Sequence, residues 1–402
     1  MKLRGQQKLI LGIGLVVLAN VVMAALLFTG DKLYGPETYF NDLMMRNSAQ
    51  VPDDRILIVA IDDQSIKDYG RLGSWDRAVY GNLIARLKDA GARVVAFDVY
   101  FDPPTPRDTV VAQAIAYAQS SANGSSPMPV ILAAVGDGDQ GHIAGQGLAY
   151  DQFLQPSQIM TAAKPLLANV TVDPDGAVVR HLPLRAISGS QHEYLLPFAA
   201  VNAYLRLPPL DQQVKLQPDG IQTTNLFIPT DPAYRMLINF EGPPFAFKHY
   251  SLSQAADGKI DPANFKDKMV FVGELGAAGL ADNYPVPTSG AAKMDGVEIW
   301  ANGAQNILNG KFVVPQGVVS TVAFMVVLSA AGAVGFFLWG AAGWLVTLGI
   351  LVVYSLAAFL WTVSRLSSAA TAAGVIPLPN LVYIGGDVLL AGLLLFTYFF
   401  IS

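Results

Sequence analysis

Ile56-Leu-Ile-Val-Ala-Ile-Asp62 and Val94-Val-Ala-Phe-Asp98 are two short apolar runs, each stopping at an aspartate. Between them lie a polar turn at residues 70–77 and a helical pattern at residues 78–88, closed by Ala90-Gly91. Near-continuous β-branched runs flanking an amphipathic helix predict a βαβ unit whose strands are buried on both faces. The crossover in such a unit is right-handed. Asp62 and Asp98 then fall at strand carboxyl ends, the edge where open α/β sheets keep their ligand crevices.

The flanking sequence extends this sheet. Pro103, Pro104 and Pro106 end the second strand, because proline cannot continue a central strand. Helices are expected at residues 108–118 and 195–205, and strands at residues 130–135, 178–184, 236–240 and 269–272. Residues 136–147 hold five glycines and predict a mobile surface loop. Asp173-Pro-Asp-Gly176 is a turn signal; as a calcium loop it lacks the further acidic ligands and the distal glutamate. Gly273 to Gly279 follows a G-x-x-G-x-x-G spacing, which is neither the dinucleotide fingerprint nor a phosphate loop with its lysine. Its glycines let the backbone approach a ligand or a neighbouring chain. Residues 294–308 run into a helix with Gly310 near its end.

Of 402 residues, 52% are hydrophobic and only 14% charged, against about 25% charged in a soluble chain. Membrane segments are therefore expected, and four stretches have the length to span, about 20 residues each. They are Leu9–Phe28, Val318–Trp339, residues 344–363 and residues 375–401. The first is longer than a signal-peptide core and has no clean cleavage site after it, so it reads as an uncleaved anchor. Lys2, Arg4 and Lys8 place its amino end in the cytoplasm by the positive-inside rule. Residues 31–315 then form one extracytoplasmic domain of α/β class with a mostly parallel or mixed sheet, and both termini are cytoplasmic. A short amphipathic helix at residues 39–46 leads away from the membrane. Trp339, Trp344, Trp361 and Tyr383 fall near expected interfaces. Gly332-Ala-Val-Gly335 and Gly385-Gly386 offer small surfaces for helix packing. Asp387 sits inside the last stretch, where a carboxyl group must be protonated, paired or turned to a polar cavity.

Composition also excludes function classes. The net charge is -5 with no basic run beyond the first residues, which argues against a nucleic-acid surface. There is no cysteine, so disulfides, thiolate zinc sites and thiol chemistry are excluded. His142, His181, His192 and His249 show no metal spacing. No nucleophile–base pair, nucleophile elbow or phosphate loop stands out. The expectation is a non-enzyme without a cofactor.

Several separated motifs resemble the CHASE2 family, an extracytoplasmic sensor domain of bacterial signalling receptors. They are Pro52 to Ser65, Trp75-Asp-Arg77, Gly91 to Phe101, Val270-Phe-Val-Gly273 with Gly279-Leu-Ala-Asp282, and Gly296-Val-Glu-Ile-Trp-Ala-Asn302. The order of one span, a domain and three spans is similar to that family as well. The resemblance implies a bacterial inner-membrane receptor, a homodimer, signalling to a cytoplasmic cyclase or kinase that is not part of this sequence. The rival expectation is a non-catalytic structural or docking subunit of a larger membrane complex.

Asp62, Asp63, Asp98 and Asp282 are the acidic site candidates, and Trp75 and Arg77 join them as candidate ligand-binding residues. If the carboxylates converge, their repulsion raises some pKa values unless a cation or Arg77 neutralises them. The partner is then a small molecule or a hard cation held by oxygen ligands. The competing reading is that Asp62 and Asp98 cap helices or accept backbone N–H groups. The sequence leaves both open, and leaves the metal and ligand unnamed.

Overall fold

The structure, a computed structural model, describes residues 5–29, 34–48, 51–121, 126–138, 141–172, 177–279, 282–290, 292–367 and 373–401. Lys2, Arg4 and the 173–176 turn lie outside the described residues. The chain divides into two compact units: residues 49–312 with 369–374, and residues 1–48 with 313–368 and 375–402.

The first unit is built on a seven-stranded sheet. Its strands are β1 (Ile56–Ile61), β2 (Val94–Phe97), β3 (Val130–Asp137), β4 (Gln152–Leu154), β5 (Leu166–Asn169), β6 (His249–Ser251) and β7 (Met269–Glu274). The order is β6-β1-β7-β2-β3, with β5 parallel and β4 antiparallel on β3. β1 and β2 are therefore not neighbours, because β7 lies between them. Ile56 pairs with Met269, and Met269 in turn with Val94, all parallel. Every residue of β1 and β2 is buried. That follows from helices on both faces, which leave no polar side to the strand.

One face carries α3 (Asp63–Tyr69), α4 (Ala78–Asp89) and α5 (Asp108–Gln119). Leu57, Val59 and Val95 of the sheet pack there against Leu83, Leu87 and Ile115. The short helix Leu252–Ala256 packs against α3 and α4. The other face carries the helices Leu196–Tyr204 and Gly296–Asn309. They cover Ile56, Ile58 and Phe271, and Trp300 is fully buried among the largest core side chains.

Gly296–Asn309 does more than cover the sheet. Glu298, Asn302 and Asn306 stand four residues apart on one helix face. Glu298 accepts the N–H of Phe245 at 2.8 Å, and Asn302 Oδ1 accepts that of Glu241 at 2.7 Å. Asn306 accepts the N–H of Asn239 and donates to its carbonyl, both at 2.9 Å. The segment 239–247 is irregular and buried at several points, so its main-chain groups need side-chain partners.

The glycine-rich stretch after β3 is not the loop expected from its composition. Gly141–Ile143 and Gly147–Ala149 pair antiparallel within a four-stranded sheet. Gly147 has φ +121°, and a Cβ there would stand 2.4 Å from the Arg185 carbonyl oxygen. Glycine is needed because two strands meet backbone to backbone at that point.

The second unit contains α-helices Gly5–Thr29, Tyr34–Arg46, Val318–Trp339, Ala341–Ser367 and Leu381–Ile401. Among the described residues, four helices are long and apolar enough to cross a membrane: Leu9–Phe28, Val318–Trp339, Ala342–Ser367 and Leu381–Tyr398. The last apolar stretch does not enter a helix at Val375. Gly374–Leu378 is extended and the helix starts at Leu381, because Pro377 and Pro379 lack the N–H and the free φ of a helix interior. Glu37 accepts the N–H groups of Leu381 and Val382 at 3.1 and 2.9 Å, capping that helix from the neighbouring one. Among the small residues, a Cβ at Gly335 would lie 3.0 Å from the Gly343 carbonyl oxygen, so these helices approach backbone to backbone.

Candidate functional site

The carboxyl ends of β1, β7 and β2 open on a cleft of about 230 Å³. Ile61, Glu274 and Asp98 reach it from the three strands. Trp75, Arg77 and Asp102 line it as well, together with the aromatic rings of Tyr80, Tyr100 and Phe101. The turn between α3 and α4 supplies Trp75. Its indole N–H donates to the Gly70 carbonyl at 2.7 Å, and its ring stacks on Tyr80 with centroids 6.2 Å apart. Gly273 makes the closure of this edge feasible: a Cβ there would stand 2.9 Å from that of Val297 and 3.1 Å from that of Asp98.

The six candidate residues separate. Trp75, Arg77 and Asp98 line one cleft. Asp282 lies behind it, beside Gly296, and interacts with Asp98 through its charge. Asp62 is the N-cap of α3: it accepts from the Ser65 N–H and hydroxyl and from the Ser251 hydroxyl, at 2.7–2.8 Å. Asp63 accepts the Ala278 N–H at 2.8 Å and so holds the glycine-rich turn. Asp62 thus caps α3 through Oδ1, as the capping reading expects.

Arg77 also has a structural post. It donates from Nη1 to Asp108 and from Nη2 to the Pro103 carbonyl at 2.6 Å, with its guanidinium 5.5 Å from the Phe101 ring centre. Asp108 is fully buried. Burial works against its charge, and the hydroxyls of Ser157 and Thr105 with Arg77 hold its carboxyl below the usual range.

What gathers around Asp98 is a set of acids, Glu274, Asp282 and Asp295. Burial, then the charges of Asp282 and Glu274, push Asp98 well above the usual carboxylate range, against the pull of the Trp300 indole. Its Oδ2 is buried, and the Trp300 N–H that faces the carboxyl group pulls on it without reaching full hydrogen-bond geometry. Glu274 is raised by burial and by Asp282 and Asp295. Asp282 is raised by burial and by Asp295, while the Tyr284 hydroxyl opposes the shift. Asp295 is raised by burial, although it accepts the Gly276 N–H at 2.6 Å. The sequence reading missed Glu274, Asp295 and the aromatic wall. Glu274 ends its strand in the same way as Asp98 follows β2, and Asp295 immediately precedes the Gly296 motif. Among the described residues, no group of three or more His, Asp and Glu has the geometry to hold a metal ion. The arrangement lowers local potential without assembling a coordination shell.

The pH dependence follows from these directions. The folded state holds the Asp98 proton more tightly than the unfolded chain does, so stability falls as pH rises above the unfolded value. Thermal unfolding of the full chain in detergent should show wild type losing stability as pH rises above the unfolded carboxylate value of about 4, with Asp98→Asn showing a flatter dependence. A variant with the wild-type slope would place the titration elsewhere.

The α/β unit carries an acidic, aromatic cleft at its strand ends, and four helices among the described residues have membrane-spanning length. The CHASE2 domain family model matches residues 16–345, and the chain belongs to this sensory domain family. No curated protein and no solved structure matches it at a significant level.

Proposed function

We propose that the chain is a bacterial inner-membrane receptor whose α/β domain lies outside the cytoplasm and binds a small organic cation in the cleft at Asp98. Occupancy favours one arrangement of the membrane helices, and a homodimer passes it to a cytoplasmic cyclase or kinase. The observation that carries the ligand class is the unpartnered buried oxygen of Asp98 in a cleft where Arg77, the one base lining it among the described residues, is already paired with Asp108. Asp98, Asp102 and Glu274 then leave the lining acidic, and Trp75, Tyr80, Tyr100 and Phe101 offer ring faces to a cation.

Calorimetry with tetramethylammonium and uncharged tert-butyl alcohol tests this on the full chain. Tetramethylammonium is expected to bind saturably, more tightly as pH rises and the raised acids ionise. In Asp98→Asn its affinity should fall by about tenfold, or ~1.4 kcal/mol. Equal binding of the alcohol, or an unchanged affinity in the variant, would refute the cation reading.

A further inference from the structure

Asp387, in the helix Leu381–Ile401, is fully buried, and neither of its carboxyl oxygens has a hydrogen-bond partner. Ser329, in Val318–Trp339, lies beside it. The Ser329 hydroxyl donates to the Met325 carbonyl at 2.7 Å and accepts from Asn20 Nδ2 at 2.9 Å, so its one proton is shared. Asn20, in Gly5–Thr29, spends its amide protons on Ser329 and on the Val16 carbonyl, also at 2.9 Å. Asn20 Oδ1 is buried and unpartnered too. The two Asp387 oxygens and Asn20 Oδ1 thus lie about the Ser329 hydroxyl, a polar group drawn from three helices and short of donors.

No lysine, arginine or second carboxylate occurs in residues 9–28, 318–339 or 381–401. An uncompensated carboxylate in such a place is costly, and a set of oxygens short of donors calls for a positive ion. The packing keeps the oxygens together. Gly386 brings its helix against the first one so closely that a Cβ would stand 2.7 Å from the Met23 methyl carbon. Asn20 is the one polar residue lining an otherwise apolar groove of about 530 Å³ between Gly5–Thr29 and Val318–Trp339. The groove gives the site an approach from the hydrocarbon side.

We infer that Asp387, Asn20 and Ser329 form an intramembrane site for a small monovalent cation, a proton or a sodium ion, shared by three helices. Because each helix supplies one oxygen ligand, loading and release bias how the helices pack. This gives the membrane unit an input of its own, independent of the cleft at Asp98.

The test is labelling with the hydrophobic reagent dicyclohexylcarbodiimide on the full chain in membranes. The reagent adds to a protonated carboxyl group in an apolar setting, and peptide mass spectrometry reads the adduct. Wild type is expected to carry it at Asp387, falling at least about fivefold between about pH 6 and 9. Tyr383, one turn earlier, and Tyr354 are the titratable side chains packed nearby among the described residues. If sodium is the ion, sodium chloride suppresses labelling at fixed pH where potassium chloride does not; if the proton is, the two salts act alike. Asn20→Leu removes one oxygen, leaves the carboxyl in place, and should move the pH or sodium dependence. No adduct at Asp387 across the range, or a yield indifferent to pH, to sodium and to Asn20→Leu, overturns the site.

Discussion

Arg77→Met is expected to cost about 3–5 kcal/mol of folding stability, measured by thermal unfolding of the full chain in detergent. The reason is the partner left behind. Asp108 has no exposed surface, and Arg77 brings the positive charge to its carboxyl group. Methionine fills similar volume but leaves a buried anion with only the Thr105 and Ser157 hydroxyls. The Pro103 carbonyl loses its donor as well. Adding Asp108→Leu should recover most of the loss, because replacing both members of a buried pair is nearly neutral. If Arg77→Met folded as stably as wild type and lost only ligand affinity, Arg77 would be a ligand group and the cleft would have a base to spare.

Asn306→Leu is the second large effect, expected at about 2–4 kcal/mol. The amide closes a two-bond ring with the main chain of Asn239. Both residues are buried, so water cannot replace the amide, and a leucine of similar size leaves one N–H and one C=O without partners. Glu298 and Asn302 hold the same segment at Phe245 and Glu241. The damage should therefore stay local: hydrogen exchange should quicken in residues 239–247, with the sheet still protected. An unchanged melting temperature, or exchange that quickens in the sheet before residues 239–247, would contradict this placement.

The strands that decided the fold were legible because burial on two faces leaves only apolar residues. Ile56–Ile61 and Val94–Phe97 occur as the pattern predicts, to the residue. The position of β7 between them was not legible. It joins partners some two hundred residues apart, and parallel register is set by contacts that no local pattern records. Helix α3 was overlooked because its seven residues are mostly polar, although Asp62 capping Ser65 is a recognisable start. Arg77 beside Trp75 resembled a ligand pair, since its true partner follows a proline-rich turn thirty-one residues on. Asp98 was visible as an acid at a strand end. Its unpartnered oxygen and the acids around it were not, because the chain beyond residue 270 brings Glu274, Asp282 and Asp295 to it. The strand Gly374–Leu378 was hidden inside an apolar run, where Pro377 and Pro379 were the available signal.

The receptor reading requires the α/β domain and the loop after Trp339 to lie on opposite sides of the bilayer. The chain has no cysteine, so each introduced one is a unique label. With a membrane-impermeant maleimide applied from outside the inner membrane, Lys67→Cys, exposed on α3, is expected to react in sealed cells. Ala342→Cys, exposed at the start of its helix, is expected to react only after the membrane is opened. Reaction of both variants from the same side, or protection of Lys67→Cys in sealed cells, would contradict the account.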